Sequence, residues 1–409
     1  MSLDFKEDNL IDLCELVTDG SHHSPPSQVE GYYMASVKDM GAYKFIYSDC
    51  RKISEEDYDK LVKSGCSPKN EDILIAKDGS PLSNIFIYQE EYPMVLLSSI
   101  AIIRANKNKI LPEFLKYYLE NPSIKKYIQT TYTSGSVIPR IILKDFKKFP
   151  INYPDIANQK KIIGVLKSID EKIAINEEIN KNLFSIGRLI FKELILNEYS
   201  NNSHSNWVLV PFNEISTVQN GFAFKSNDYC DVGCNMIRTR DITSEGFVSN
   251  EDLINLPQSF YESKKYKNYK FERLDTITVM VGASIGKMGL ITDINIPSLQ
   301  NQNMWRFRSK LKNISPAFVY YYVEKINKEI INMATGSARS FYRKNLFLDY
   351  ECIMPSNDYL NGINHLFNSL FDKISENVAE IDKLTKLRDT LLPKLMSGEI
   401  DVSKINCDI

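Results

Sequence analysis

The chain repeats itself once, with a period of about 200 residues. Six short strings recur in the same order, and the distance between the two copies varies only from 201 to 205 residues. The matched strings begin at Asp19 and Asn220, Ser36 and Arg238, Asp72 and Asp275, Leu111 and Ser315, Gly135 and Gly336, and Phe149 and Met354. Because solenoid repeats have periods of about 20–50 residues, this period indicates two copies of a whole domain.

Each half begins with a module in which short strands alternate with helices. Short β-branched and apolar runs predict strands at 72–76, 85–88 and 99–104 in the first half, and at 276–281 and 304–307 in the second. A proline precedes the predicted helices that contain Leu115–Tyr118 and Phe318–Val323, as is common in the first turn of a helix. The tyrosines in these helices have core-like spacing, which favours packing over base stacking.

A long helix follows each module. Residues 158–197 contain no proline, and their apolar side chains recur in alternating steps of three and four, a seven-residue repeat over four heptads. The predicted seam comprises Leu166, Ile169, Ile173, Asn176, Leu183 and Ile190 in the first helix, and Leu370, Ile374, Asn377, Leu384 and Leu391 in the second. About 40 residues give a rod of roughly 60 Å, which is too long to pack along one small module. The two helices are therefore expected to pair with each other.

Two asparagines interrupt the apolar seam. Asn176 and Asn377 fall at equivalent positions when the helices are matched at an offset of 201 residues. A buried asparagine lowers stability but can fix the register of a coiled coil. In an antiparallel pair, however, the two would lie at opposite ends and would not face each other. Register control and a solvated asparagine therefore both remain open.

Composition is that of an ordinary globular chain, with 43% hydrophobic and 25% charged residues. No apolar run approaches about 18 residues and no apolar segment follows the N-terminus, which favours a cytoplasmic protein without a membrane span. The seven cysteines are irregularly spaced and there are only four histidines, so we expect reduced thiols and no metal site. The net charge is −2, and neither module is strongly basic.

Several local strings are similar to those of a known family. They are Pro150–Pro154 with Ala157–Ile163, Leu391–Ile400, and Asp72–Gly79. Together with the duplicated layout, they resemble the specificity (S) subunit of type I restriction–modification systems over essentially the whole chain. The chain departs from the family pattern at Asn158, where an acidic residue is usual, and at 356–365, where the Gln-Lys/Arg pattern is missing.

The resemblance implies an α+β fold of two duplicated α/β target recognition domains, 1–153 and 201–355, joined by spacer helices 154–200 and 356–409. These helices would form an antiparallel coiled coil that sets the distance between two half-sites of a bipartite, asymmetric DNA target. Two methyltransferase (M) and two nuclease/translocase (R) subunits would bind this chain. S-adenosylmethionine would belong to M, and ATP and Mg²⁺ to R, so this chain would carry no cofactor and no catalytic residue while serving host defence.

The sequence also contains none of the motifs expected of the catalytic subunits. No Asn/Asp-Pro-Pro-aromatic string, no Gly-x-x-x-x-Gly-Lys-Ser/Thr and no Gly-x-Gly-x-x-Gly occurs. Two alternatives remain open. One is the recognition portion of a standalone adenine methyltransferase, which would need those missing motifs. The other is a coiled-coil scaffold that never contacts DNA.

Polar side chains recur in equivalent predicted turns of the two copies, and these are the candidate DNA contacts. For any one of them a solvated charge is the simpler interpretation, but recurrence in both copies favours a shared role. Because the two half-sites would differ, shared positions should contact phosphates or support loops rather than read bases. The candidates are Lys38, Lys77, Ser136, Arg140, Arg238, Arg240, Lys287, Gln302, Asn303, Arg339, Arg343 and Lys344.

Overall fold

The structure is a computed structural model that describes residues 4–135, 137–201, 206–333 and 343–402. The chain forms two compact units, one of residues 1–171 with 385–409 and the other of residues 172–384. Each unit contains part of both long helices. Residues 1–153 are called module 1 below, and residues 201–355 module 2.

Within its described residues, module 1 contains three small sheets. The first is antiparallel, with strands in the order Cys14–Asp19, Ile100–Ala105, Ile73–Ala76 and Ile85–Ile87. The second has the order Arg51–Ile53, Tyr32–Ala35 and Met94–Leu96, of which the last two are parallel. The third pairs Lys6–Asn9 with Pro150–Tyr153. The helices are Glu55–Lys63, Pro112–Glu120, Pro122–Thr131 and Leu143–Phe146, with 3₁₀ turns at Leu10–Leu13 and Val37–Asp39.

Module 2 repeats these three sheets in the same strand order. The four-stranded sheet runs Ser216–Asn220, Met304–Ser309, Thr276–Val279 and Met288–Leu290, and the three-stranded sheet runs Ile254–Leu256, Cys234–Ile237 and Ser298–Gln300. Val208–Pro211 pairs with Glu351–Met354. The helices are Phe212–Ile215, Gln258–Glu262, Pro316–Met333 and Lys344–Leu348, with 3₁₀ segments at Ser226–Asp228, Thr239–Asp241, Lys264–Tyr269 and Asp293–Asn295. The sequence repeat is thus a repeat of the fold.

The two long helices run antiparallel within each unit. The first long helix extends from Ile156 to Phe191, continues as a π-helix over Lys192–Asn197 and ends with Glu198–Ser200; the second spans Asn357–Met396. In one unit Arg388 Nη1 lies 3.1 Å from Asp170 Oδ1, and in the other the rings of Phe184 and Phe371 are 5.8 Å apart. The predicted fold class, two α/β modules with an antiparallel helix pair, is confirmed.

The buried face of the first long helix shifts by one residue beyond Asn180. Phe184 and Phe191 are buried there, each one position after an expected seam residue, and Ile195 is buried one turn further on. A straight α-helix drifts by about 20° per heptad relative to a 3.5-residue repeat, and the aromatic core of module 2 lies against the shifted face. Of the predicted seam residues, Leu166, Ile169, Ile173, Asn176, Ile374 and Asn377 are buried, and Leu183, Ile190, Leu370, Leu384 and Leu391 are partly buried.

A buried amide attaches the start of each long helix to its own module. Gln159 Oε1 accepts the backbone N–H of Leu111 at 2.8 Å, and Asn364 Oδ1 accepts that of Ser315 at 3.0 Å. Since Leu111 and Ser315 are equivalent, the helices correspond at an offset of 205 residues rather than the expected 201. A shift of four residues is close to one helical turn, so the heptad pattern alone does not distinguish the two offsets. Asn364 thus provides a buried amide within 356–365, where the family's Gln-Lys/Arg pattern is missing.

The seam asparagines are paired across the two long helices. Asn377 Nδ2 donates to Asn180 Oδ1 at 2.9 Å, and Asn176 Nδ2 donates to Glu380 Oε2 at 2.9 Å. The expectation that Asn176 and Asn377 lie at opposite ends is wrong, because the partner of Asn176 lies only one turn beyond Asn377. At the corrected offset they are not equivalent either. Both are buried, and a slip of one turn would break both bonds, which favours register control.

Each module shares a hydrophobic core with the long helices. In one unit Ile162 and Leu166 join Leu392 and Leu395 against module 1. In the other, Phe184 and Phe191 meet the second helix and the tyrosines of module 2. Tyr117, Tyr118 and Tyr320–Tyr322 are buried, which confirms that they pack in the core. None of the helices in the described ranges is long and apolar enough to cross a membrane.

Candidate DNA interface

Four loops meet at one edge of module 1, and the same four meet at the same edge of module 2. In module 1 the carbonyl of Ser99 accepts the N–H of Lys77 at 2.9 Å, and its hydroxyl accepts the N–H of Val37 at 3.1 Å. In module 2 the carbonyl of Asn303 accepts the N–H of Met280 at 3.0 Å. We call this surface the loop edge. It comprises residues 20–24, 36–40, 77–84 and 97–99 in module 1, and residues 221–225, 238–242, 280–287 and 301–303 in module 2.

A glycine allows the first loop to approach the fourth in each module. A Cβ on Gly221 would lie 1.7 Å from the carbonyl oxygen of Asn301, and one on Gly20 would lie 2.2 Å from that of Leu96. Real Cβ atoms essentially never approach other atoms so closely. The matched Asp-Gly and Asn-Gly strings therefore mark a close backbone contact that supports the loop edge.

An aspartate shapes the second loop in each module. Asp39 Oδ2 accepts the backbone N–H of Ser36 at 2.8 Å, and Asp241 Oδ2 accepts that of Arg238 at 2.7 Å. Both carboxylates are buried. The residues just before them, Lys38 and Arg240, are exposed, and the Arg240 side chain keeps 70% of its surface in solvent. These two equivalent cations are available to a ligand at the loop edge.

Three other predicted cations are held by internal partners. Lys77 Nζ lies 2.6 Å from Asp19 Oδ2, and its side chain is only 5% exposed. Arg238 forms a bidentate contact with Asp241, with distances of 2.9 and 2.7 Å. Lys287 Nζ donates to the carbonyl of Ile242 at 2.5 Å. These geometries indicate that Lys77, Arg238 and Lys287 support the loops.

The role of Lys287 has a counterpart in module 1. Asn84 Nδ2 donates to the carbonyl of Met40 at 2.6 Å, and Met40 occupies the position equivalent to Ile242. The same loop-to-loop contact is thus made by an amide in one copy and an ammonium in the other. Asn84 stands at the position of module 1 that matches Lys287. The shared contact explains why no lysine is needed there.

The remaining predicted contacts differ in how they are presented. Gln302 and Asn303 are exposed on the fourth loop of module 2. Arg140 is 57% exposed and lies 3.2 Å from Asp78 Oδ1, beside the glycine turn of module 1. Arg343 is exposed and Lys344 is partly buried at the start of the short helix Lys344–Leu348. Ser136 and Arg339 lie outside the described residues.

One cationic segment was not among the predicted contacts. Residues 263–270 carry four lysines in eight positions, and three of these lysines are exposed. The near-neutral net charge of the chain conceals them, and module 1 has no matching string. The signal that could have found them is the local Ser-Lys-Lys-Tyr-Lys-Asn-Tyr-Lys sequence itself.

Comparisons with known proteins agree with this layout. The chain matches the family described as "Type I restriction modification DNA specificity domain" over residues 6–184 and 204–358. It is 24% identical over 399 residues to the specificity subunit of the type I restriction enzyme MjaVIII of Methanocaldococcus jannaschii, covering 93% of this chain and 88% of that one. It is 22% identical over 397 residues to the HindI specificity subunit of Haemophilus influenzae, covering 77% and 83%.

A solved structure shares the fold. The crystal structure of the S subunit of a type I restriction–modification system from M. genitalium superimposes with a TM-score of 0.55 at 17% identity, covering 96% of each chain. The family match covers both modules and most of the first long helix. The chain therefore belongs to the family of DNA specificity (S) subunits of type I restriction–modification systems.

Proposed function

We propose that this chain selects the DNA target of a type I complex, with the loop edge of each module reading one half of a bipartite, asymmetric sequence. The observation that carries the proposal is that one scaffold presents different side chains in its two copies. Lys38 stands opposite Arg240 in the repeat, and Ser98 and Ser99 stand opposite Gln302 and Asn303. Amides, hydroxyls and arginines are the groups that read base edges and phosphates.

The cations divide into two roles under this proposal. Lys38, Arg240, Arg140 and Arg343 would contact DNA, most simply its phosphates, because their charges reach solvent. Lys77, Arg238 and Lys287 would keep the loops in place. Gln302 and Asn303 would read bases, since module 1 has serines at their positions and a reading residue should differ between the copies.

The long helices would set the spacing of the half-sites and bind the partner subunits. The domain boundaries would be 1–153, 154–200, 201–355 and 356–409. Exposed apolar side chains continue along the first long helix outside the buried seam, at Ile175, Ile179, Ile186 and Leu189. Steps of four, seven and three keep them on one face, and such a face suits a helical partner. We assign it to the methyltransferase subunits.

The chain itself would catalyse nothing and would bind no cofactor. The M subunits would supply S-adenosylmethionine chemistry, and the R subunits would supply ATP-driven translocation and cleavage, all in the cytoplasm with the host DNA. The modules carry 19 basic against 21 acidic residues and 18 against 15. Affinity for DNA depends strongly on phosphate neutralisation, so much of it should come from the partner subunits.

Exchange of one module tests the proposal. If residues 206–353 are replaced by the matching segment of a family member with a different target, methylation sequencing should show that one half of the methylated motif changes. The other half and the spacer length should stay the same. Exchange of the module 1 segment is the matched control and should change the opposite half. A motif that is unchanged after either exchange would indicate a scaffold that does not read DNA.

A further inference from the structure

The segment 263–270, called the lysine segment below, forms a cationic surface that module 1 lacks. It carries Lys264, Lys265, Lys267 and Lys270, of which the first three are exposed. Within the described part of the chain, no carboxylate lies in ion-pair distance of any of these four ammonium groups. Their charges are therefore not neutralised by the fold.

Aromatic rings hold the lysine segment in place. Lys265 Nζ lies 4.9 Å from the ring centroid of Tyr266, and Lys270 Nζ lies 4.3 Å from that of Tyr261. Tyr266 is itself buried against Phe222 and Phe224. A cation over a ring face is favourable by about 0.5–1 kcal/mol at exposed sites, so the ammonium groups of Lys265 and Lys270 are oriented before any ligand arrives.

A buried arginine anchors the backbone of the same segment. Arg306 Nη1 donates to the carbonyls of Asn268 and Lys270, at 3.1 and 2.6 Å. Arg306 is buried, and the strand position equivalent to it in module 1 is the core residue Ile102. Burying a guanidinium costs free energy unless it is hydrogen-bonded. In module 2, therefore, the buried charge at this strand position serves to hold the backbone of the lysine segment.

The equivalent segment of module 1, residues 60–67, carries two lysines where the lysine segment carries four. The four acidic residues of its helix Glu55–Lys63 directly precede these lysines, and Lys60 is paired with Glu56 at 2.6 Å. Both segments follow the outer strand of the three-stranded sheet, Arg51–Ile53 in module 1 and Ile254–Leu256 in module 2. The charge difference thus concerns one place in the fold and not the module as a whole.

The lysine segment is continuous with the loop edge of module 2. Lys265 Nζ lies 5.7 Å from the ring centroid of Phe222, and Phe222 forms a parallel bridge with Asn301 on the fourth loop. Its ring also lies 5.2 Å from that of Tyr269. A duplex bound at the loop edge would therefore pass close to the lysines.

We propose that the lysine segment binds the phosphate backbone of DNA beside the half-site read by module 2, and that module 1 has no such contact. This inference rests on the proposed DNA-reading role of the loop edges. The three exposed lysines span about 6 Å along the 3₁₀ helix Lys264–Tyr269, at about 2.0 Å per residue, and one strand of B-DNA carries a phosphate about every 3.4 Å along its axis. The three exposed lysines therefore match the spacing of about three successive phosphates. The two modules therefore contribute unequally to affinity.

The test is the salt dependence of DNA binding by the complex of this chain with its methyltransferase subunits. A K264Q/K265Q/K267Q variant removes three charges from the lysine segment. The matched control, K60Q/K63Q/K69Q, removes three exposed lysines from the equivalent region of module 1. Affinity for a duplex carrying the methylated motif is measured from 50 to 200 mM salt, together with affinity for a duplex with a scrambled motif. Each phosphate contact contributes about 0.9 to the slope of log affinity against log salt concentration.

The K264Q/K265Q/K267Q variant should lose about two to three from that slope and should still prefer the motif over scrambled DNA. The control should keep the wild-type slope. An unchanged slope, or an equal loss in both variants, would overturn the inference. So would normal DNA binding combined with loss of a partner subunit from the purified complex, which would assign the lysines to an acidic protein surface. If the wild-type complex itself shows no preference for the motif, the proposed function fails instead.

Discussion

Replacement of Asp275 by alanine is expected to lower the melting temperature of the unit that contains module 2 by roughly 6–20 °C. Arg308 Nε and Nη2 contact the two carboxylate oxygens of Asp275 at 2.7 and 2.6 Å, and Arg306 Nε lies 3.9 Å away. The Asp275 side chain is only 1% exposed. Removing one partner of a buried ion pair costs about 3–5 kcal/mol, and each kcal/mol moves the melting temperature by about 2–4 °C at this size.

Module 1 contains the equivalent ion pair, so an equivalent variant can be made there. Asp72 and Arg104 make the same bidentate contact in module 1, at 2.8 and 2.7 Å, so Asp72→Ala should destabilise the other unit. Glu56→Ala, which removes an exposed pair, serves as the control and should leave stability nearly unchanged, because solvent screens such pairs. Differential scanning calorimetry measures all three variants. If Asp275→Ala is no more destabilising than Glu56→Ala, the buried pair is not a principal support of module 2.

A Gly221→Ala variant is expected to bind its DNA target about 10- to 100-fold more weakly while the rest of module 2 stays folded. The added Cβ would meet the carbonyl of Asn301 and must displace the fourth loop, which carries Gln302 and Asn303. Loss of correct contacts to one base pair costs about 1–3 kcal/mol. Binding of the partner-bound complex to motif and scrambled duplexes measures the effect.

The variant has a matched control on the second long helix. Apart from the adjacent residues and the helix's own backbone, no atom lies within 4 Å of a Cβ built on Gly362, so Gly362→Ala should leave DNA binding unchanged and should raise helix stability by about 0.5–1 kcal/mol. Gly20→Ala is the twin in module 1 and should impair the other half-site. Target preference that survives both Gly20→Ala and Gly221→Ala would show that the loop edges do not read the sequence.

The architecture could largely be predicted from the sequence because the duplication presents the same pattern of strands and helices in both halves of the chain. Strand runs such as 72–76 and 276–281 lie within one or two residues of their predicted positions. The two helices expected near Pro112 and Pro316 begin at those prolines, but the second extends over 18 residues to Met333 and is not the short helix that was expected. The helix pair followed from its length and heptads. The offset between the two long helices did not, because a four-residue shift preserves a three-four pattern and only the contacts of Gln159 and Asn364 resolve it.

The candidate site was less accessible because a charged residue in a turn does not reveal its partner. Lys38 and Lys77 look alike in the sequence, yet one is exposed and the other forms a buried pair with Asp19, which lies 58 residues earlier in the chain. For Arg306 the sequence position suggests the wrong environment. It stands in an apolar strand, and only its hydrogen bonds to Asn268 and Lys270 reveal what it does.

Sequencing of adenine methylation in host DNA, with and without this gene, tests the central claim most directly. The account predicts one bipartite, asymmetric motif with methylated adenines that is present with the gene and absent after its deletion. The genes for the partner subunits stay intact in both strains. An identical methylation pattern in the two strains, with an active methyltransferase present, would contradict the claim that this chain selects the DNA sequence.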